Sequence, residues 1–235
     1  MFETVATQSG SVATREEAVR AAFIRRVYTH LLGAVGLFII VETGLFTWGI
    51  AKGLADFISG NRGAWLLLLG GFMVINLMAT MAAANIANTN IQYAGLAGVA
   101  FAEALIFAPF LYFVFHREGG GATVADAAVI TIVGFIGLSV VAMVTRKDLS
   151  VIRPMLMWGG VVALVLILGA VAFGLNLGVW FSVGMIALAG GSILYQTQQI
   201  MRRYPETAYV GAAVQLFGSL MTMFWYVLRL LNSRR

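Results

Sequence analysis

Cysteine is absent from the 235 residues, and only two lysines, two histidines and three prolines are present. Without cysteine there is no disulfide framework, no thiolate metal site and no thiol nucleophile. The two histidines, His30 and His116, do not form an H-E-x-x-H pair, which excludes an intramembrane zinc protease of that type. A rhomboid-type serine protease needs a buried serine in a glycine-flanked turn with a histidine on a neighbouring helix. Ser139 in GLSV lacks the second glycine. Lys52 and Lys147 both fall between apolar runs, so no lysine is placed to carry a retinal Schiff base. The glycine run Gly119–Gly121 lacks the lysine and the strand–helix setting of a phosphate-binding loop. These absences exclude the common enzyme classes; no catalytic residue, metal ligand or cofactor is expected.

Charge is the next scarcity. Charged residues make up 11% of the chain and hydrophobic residues 60%, whereas soluble domains average about 25% and about 45–50%. A fold of this size could not hide so much apolar surface from water, so the composition implies a lipid bilayer as solvent. The net charge of +5 resides in short clusters beside apolar runs, which is the positive-inside pattern and not a nucleic-acid-binding stripe.

A spanning helix needs about 20 apolar residues. Seven stretches qualify, at 25–50, 63–86, 91–115, 125–145, 155–174, 178–201 and 208–231. The expected architecture is an all-α integral membrane protein, with a polar tail over 1–24 and one seven-helix domain over 25–235. The tail lacks the basic start and apolar core of a cleaved signal peptide. With the N-terminus in the cytoplasm, nine basic residues lie inside: Arg15, Arg20, Arg25, Arg26, Arg146, Lys147, Arg153, Arg202 and Arg203. Six lie outside if the last segment crosses fully. If that segment is re-entrant the bias becomes twelve to three, so the side of the C-terminus stays open. The glycines Gly33, Gly36, Gly70, Gly71, Gly159, Gly160, Gly190 and Gly191 are expected at helix contacts. Trp48, Trp65, Trp180 and Trp225 are expected in an interfacial belt.

Polar groups inside the spans carry whatever function exists. Glu42 and Glu103 are the only carboxylates well within them, and a charge at the bilayer centre costs about 2.5–3.5 kcal/mol. Glu42 reads equally as a proton-responsive group or as an interfacial carboxylate hydrogen-bonded to a neighbour. Glu103 favours a functional reading, because Pro109 six residues later removes a backbone donor and can kink the helix beside a cavity. His30 reads as a packing residue. Gln198 and Gln199 mark the approach of the sixth span to the cytoplasmic face, ahead of Arg202 and Arg203.

Four blocks in order resemble the Bax inhibitor-1 family: FAEALIFAP (101–109), TRKDLS (145–150), LYQTQQI (194–200) and LFGSLMTMFWYVLRLL (216–231). The TRKD stretch is most similar to the bacterial YccA-like branch. The resemblance implies a bundle whose seventh helix is central. It implies one of three activities: a pH-sensitive calcium leak, modulation of a membrane-anchored ATP-dependent protease or other membrane protein, or suppression of cell death. Leak-type members carry an aspartate pair on the last two helices, the second one ten residues before an arginine that corresponds to Arg229. Carried across, those positions are Gln196 and Ser219, and neither can titrate or hold calcium. The resemblance therefore favours a non-enzymatic regulator in a bacterial inner membrane, with the tail through Arg26 as the handle for a partner. The alternative is a cation leak in which protons or calcium act through Glu103 or Glu42.

Overall fold

A computed structural model describes residues 17–60 and 62–233. Among these described residues eight α-helices follow in chain order: α1 Glu17–Thr47, α2 Ile50–Gly60, α3 Arg62–Ala83, α4 Thr89–Phe115, α5 Gly120–Val144, α6 Arg153–Phe173, α7 Gly178–Arg203 and α8 Tyr209–Asn232. All but α2 are long and apolar enough to cross a membrane. In hydrocarbon each backbone N–H and C=O must be paired within the segment, which leaves the helix as the form these apolar runs can take. We call the end of the bundle where α1 starts the near end and the opposite one the far end.

Local chemistry sets several boundaries. Asn88 caps α4, its side-chain oxygen accepting from the N–H groups of Asn90 and Ile91. Pro154 begins α6, and Gly174 ends it with a left-handed φ of 68°. Gly119 has the same left-handed φ, and a Cβ on Gly120 would collide with the carbonyl of Val114. The glycine run is thus a tight turn between α4 and α5.

Two helices form the interior. The apolar windows of α4 and α8 are each 61% buried, whereas α6 buries only Ala163. Helix α8 packs on α1, α3, α4, α5 and α7 and meets α6 through the small cluster of Tyr226, Met185 and Ala163. The seventh span is central as expected, and the third shares its role.

Several expectations change. Helix α1 starts at Glu17, eight residues inside the stretch expected to be tail; positions 1–16 of that tail lie outside the described residues. The connector after the first span is itself a helix, α2, because Ala51 and Ala55 give it a buried face while Lys52 and Asp56 pair at 2.7 Å on the other. Helix α8 runs unbroken to the far end, where Asn232 accepts from Arg117 in the α4–α5 turn at 3.4 Å, so the last span is not re-entrant. Five of the eight glycines expected at contacts (Gly33, Gly36, Gly70, Gly71 and Gly160) face nothing within 4 Å. Among the helical glycines described outside the α4–α5 turn, the tightest approach to a neighbouring helix is instead at Gly95, against Ala79 and Ala83 of α3. Trp48 and Trp180 are exposed, as a belt requires, but Trp65 and Trp225 stack on each other at 6.3 Å. Trp225 also lies 4.6 Å from Phe110, inside the bundle.

At the near end His30 ties three helices together. Its Nδ1 lies 2.7 Å from the Arg26 carbonyl, an acceptor, so Nδ1 carries the proton. Nε2 then accepts from the Tyr93 hydroxyl at 2.8 Å, and the ring packs on Tyr209. This is the packing role expected of it.

Candidate functional site

The α7–α8 seam brings the two substituted positions together. Ser219 Oγ donates to Gln196 Oε1 at 2.9 Å. Both side chains line a cavity of about 510 Å³ whose polar wall also takes in Glu103, Asn76, Thr80, Gln215 and Thr222. Glu103 further lines a second cavity of about 420 Å³, together with Arg229, Tyr226 and Trp225. Among the described residues Glu103 is therefore the one carboxyl common to both spaces, with the neutral pair on one side and Arg229 on the other. Helix α4 continues through Pro109 and holds Glu103 six residues, about 1.7 turns, before it. Glu42 is not part of this constellation; it faces a separate cavity between α1 and α5.

Four of these polar residues escaped the sequence reading, although they carry a signal. Asn76 and Thr80 are spaced i, i+4 in α3, and Thr80 donates to Asn76 at 3.3 Å. Gln215, Ser219 and Thr222 are spaced i, i+4, i+7 in α8. A polar stripe at helical spacing inside an apolar span marks a wall shared with neighbouring helices.

Chemically, the pair is neutral. A serine–glutamine contact within a membrane bundle is worth about 0.6 kcal/mol on average, and it adds no charge to the seam.

Gln198 and Gln199, at the end of α7 where Arg202 and Arg203 follow, are buried and do not face open solvent. The α5–α6 loop covers them, folding over this part of α7. Gln198 Oε1 accepts from the Leu149 N–H at 2.6 Å, and Nε2 donates to the Lys147 carbonyl at 2.8 Å. One turn on, Arg202 donates to the Arg146 carbonyl at 2.9 Å. The TRKDLS segment is thereby fastened to the helix that carries Gln196.

Asp148, in that loop, accepts from the Ser150 N–H at 2.9 Å. That bond, then the Ser150 hydroxyl, and then the charges of Arg203 and Arg202 hold its carboxyl below the ordinary carboxylate range. A lowered folded-state pKa gives stabilisation that is present above the unfolded value and lost as pH falls through the folded one. The stabilisation from Asp148 is therefore expected to be present and constant between about pH 5 and 8, and to be lost below about pH 4. Melting profiles for the parent and Asp148→Ala that run parallel with a constant offset at neutral pH and converge in acid check this.

The comparison with known families decides what bundle this is. A family model described as inhibitor of apoptosis-promoting Bax1 matches residues 20–235. The chain belongs to the Bax inhibitor-1 family. Among curated relatives, a Campylobacter jejuni protein of uncharacterised function is 36% identical over 152 residues, covering 59% of this chain and 62% of the relative. The Escherichia coli protein named modulator of FtsH protease YccA is 34% identical over 115 residues, covering 48% of this chain and 52% of its own. An uncharacterised membrane protein of Vibrio cholerae is 28% identical over 131 residues, covering 53% and 56%. The chain thus spans between 52% and 62% of the length of these relatives. It is a multi-pass integral membrane protein of the Bax inhibitor-1 family, with similarity to the bacterial YccA-like branch.

Proposed function

We propose that this Bax inhibitor-1 family member resides in a bacterial inner membrane, with its N-terminus in the cytoplasm, and modulates a membrane-anchored ATP-dependent protease without catalysing a reaction. The observation that carries this reading is the Ser219–Gln196 hydrogen bond. It puts an uncharged contact where leak-type members of the family are expected to hold a titrating pair. The relative named as a modulator of FtsH protease adds support. The near end supplies the partner surface, with Arg25 and Arg26 exposed where α1 leaves the bundle.

A second reading, a proton- or calcium-responsive leak, draws on a different observation: Glu103 lines both interior cavities. In it Glu103 is the responsive carboxyl and Arg229 the charge that faces the second cavity.

One preparation separates the two. The chain is co-reconstituted with FtsH in vesicles loaded with a calcium dye, and degradation of a membrane substrate is followed alongside dye signal. Slower degradation, relieved when residues 1–19 are deleted, is the expected result. Unchanged degradation, together with a calcium flux that acidification changes and Glu103→Gln abolishes, would replace the modulator with the leak.

A further inference from the structure

Glu42 takes no part in the site between α4, α7 and α8, and its surroundings are of another kind. Helices α1 and α5 meet in the near half of the bundle, where Tyr28 packs edge-on to Phe135 at 6.3 Å. Towards the far end they part, and a cavity of about 610 Å³ lies between them, floored by Leu111 of α4 and Leu220 and Met221 of α8. That volume is within the range of about 300–1,000 Å³ typical of clefts that hold small organic ligands. Ile39, Thr43, Phe115 and Ile132 on its rim are exposed, so it opens sideways, onto the apolar belt of the bundle.

The wall is almost wholly apolar, and the polar groups on it fall into two sets. Thr43 and Thr47 donate to carbonyls of their own helix, Ile39 at 2.7 Å and Gly44 at 3.0 Å. His116 is held by the Tyr112 carbonyl at 2.8 Å. Glu42 and Thr131 are different. They are 8% and 2% exposed, and among the described residues neither carboxyl oxygen of Glu42 nor the Thr131 hydroxyl has a hydrogen-bond partner. A buried polar group without a partner is costly, and a carboxyl more so than a hydroxyl.

We propose that this cleft binds a single-chain amphiphile with an amine head, which enters from the bilayer and places its nitrogen against Glu42 and its alkyl chain along the apolar wall. The head follows from the inventory of unmet groups. An ammonium offers three N–H donors, as many as there are oxygens without a partner; an alcohol offers one. The pairing holds whether the proton resides on nitrogen or on the carboxyl, since an N–H···O or O–H···N bond is available in either case. An anionic head is disfavoured, because no lysine or arginine among the described residues lines the cavity. The same lack excludes a phospholipid head, whose phosphate would stand on apolar wall unpaired. The tail follows from the opening: it faces lipid, so an apolar chain reaches the cleft without crossing water.

The test uses the full chain in phosphatidylcholine nanodiscs and radiolabelled n-dodecylamine, with empty nanodiscs giving the partition background. Saturable binding above that background, near one amine per chain, is expected. Glu42→Gln removes the charge at constant shape and is expected to weaken binding at least tenfold. Ala128→Phe is expected to abolish it by filling the cleft from α5. Dodecanoate is expected not to compete, and dodecanol to compete poorly. Binding indistinguishable from empty nanodiscs overturns the proposal. So does saturable binding with the affinity intact in both variants, because the amine would then sit elsewhere. Competition by dodecanoate equal to that of unlabelled amine would refute the role of Glu42. Should Ala128→Phe fail to fold, Ala128→Leu tests the same wall with a smaller group.

Discussion

Gly95→Ala is expected to lower the melting temperature by roughly 10 °C, the equivalent of about 3 kcal/mol in a chain of this size. A Cβ at this position would meet the amide nitrogen of Ala83, the Ala79 carbonyl oxygen at 2.5 Å and the Ala83 Cα at 2.8 Å. All three are backbone atoms of α3, so no rotamer change relieves the clash and α3 itself has to move. Its room to move is limited, because Gly211 of α8 comes within 3.1 Å of the Ala83 carbonyl by the same measure. Three helix backbones meet here through glycine and alanine alone. In a bilayer, where helix association depends on van der Waals contact and not on apolar burial, this is where packing energy concentrates. Gly71→Ala is the control: on the same α3, nothing lies within 4 Å, and the helix-propensity gain of about 0.5–1 kcal/mol is unopposed. Thermal unfolding of both variants in nanodiscs checks the contrast. A Gly95→Ala protein as stable as the parent would mean that α3 and α4 are not so close.

The contrast also says what a single sequence reveals about a membrane bundle. Long apolar runs identify spans because the bilayer admits few alternatives, and all seven were legible. Gly70 and Gly71 look like contact glycines and are not; Gly95 and Gly211 are. Which face of an apolar helix meets protein and which meets lipid leaves little trace in hydrophobicity, since both surroundings are apolar. Polar residues inside a span do leave a trace. The family resemblance pairs Gln196 with Ser219, the two meet at 2.9 Å, and Glu103 shares their cavity. Helix α2 was missed because its buried face is only Ala51 and Ala55, which reads as nothing against a background rich in alanine. The α1–α5 cleft was missed for another reason: a gap between helices depends on their splay, which no residue encodes alone.

Gln198→Leu is expected to cost about 2–5 kcal/mol, several times the cost of Gln196→Leu two residues earlier. Both replacements swap an amide for a hydrocarbon of similar size, so the difference arises from what each leaves behind. Gln196 loses one neutral bond, and its partner, the Ser219 hydroxyl, lines a cavity and can turn to another acceptor. Gln198 is fully buried, and its loss strands the Leu149 N–H and the Lys147 carbonyl under the α5–α6 loop. Backbone groups cannot turn away, and each unmet one costs about 1–3 kcal/mol. Arg202 still holds the Arg146 carbonyl, so the loop loosens at Leu149 before it detaches. Hydrogen exchange should therefore quicken first at the Leu149 and Ser150 amides, with α7 and α8 protected as before. Arg203→Ala should do almost nothing, because its 3.9 Å contact with Asp148 is exposed at both ends. If the loop amides of Gln198→Leu exchange no faster than those of the parent, the staple is wrong. If they quicken while modulation or flux stays intact, the loop serves the fold and Gln196 answers to α8 alone. Should activity fall with the exchange protection, the fastening of TRKDLS to α7 is how the near end of the bundle is coupled to the cavity that holds Glu103.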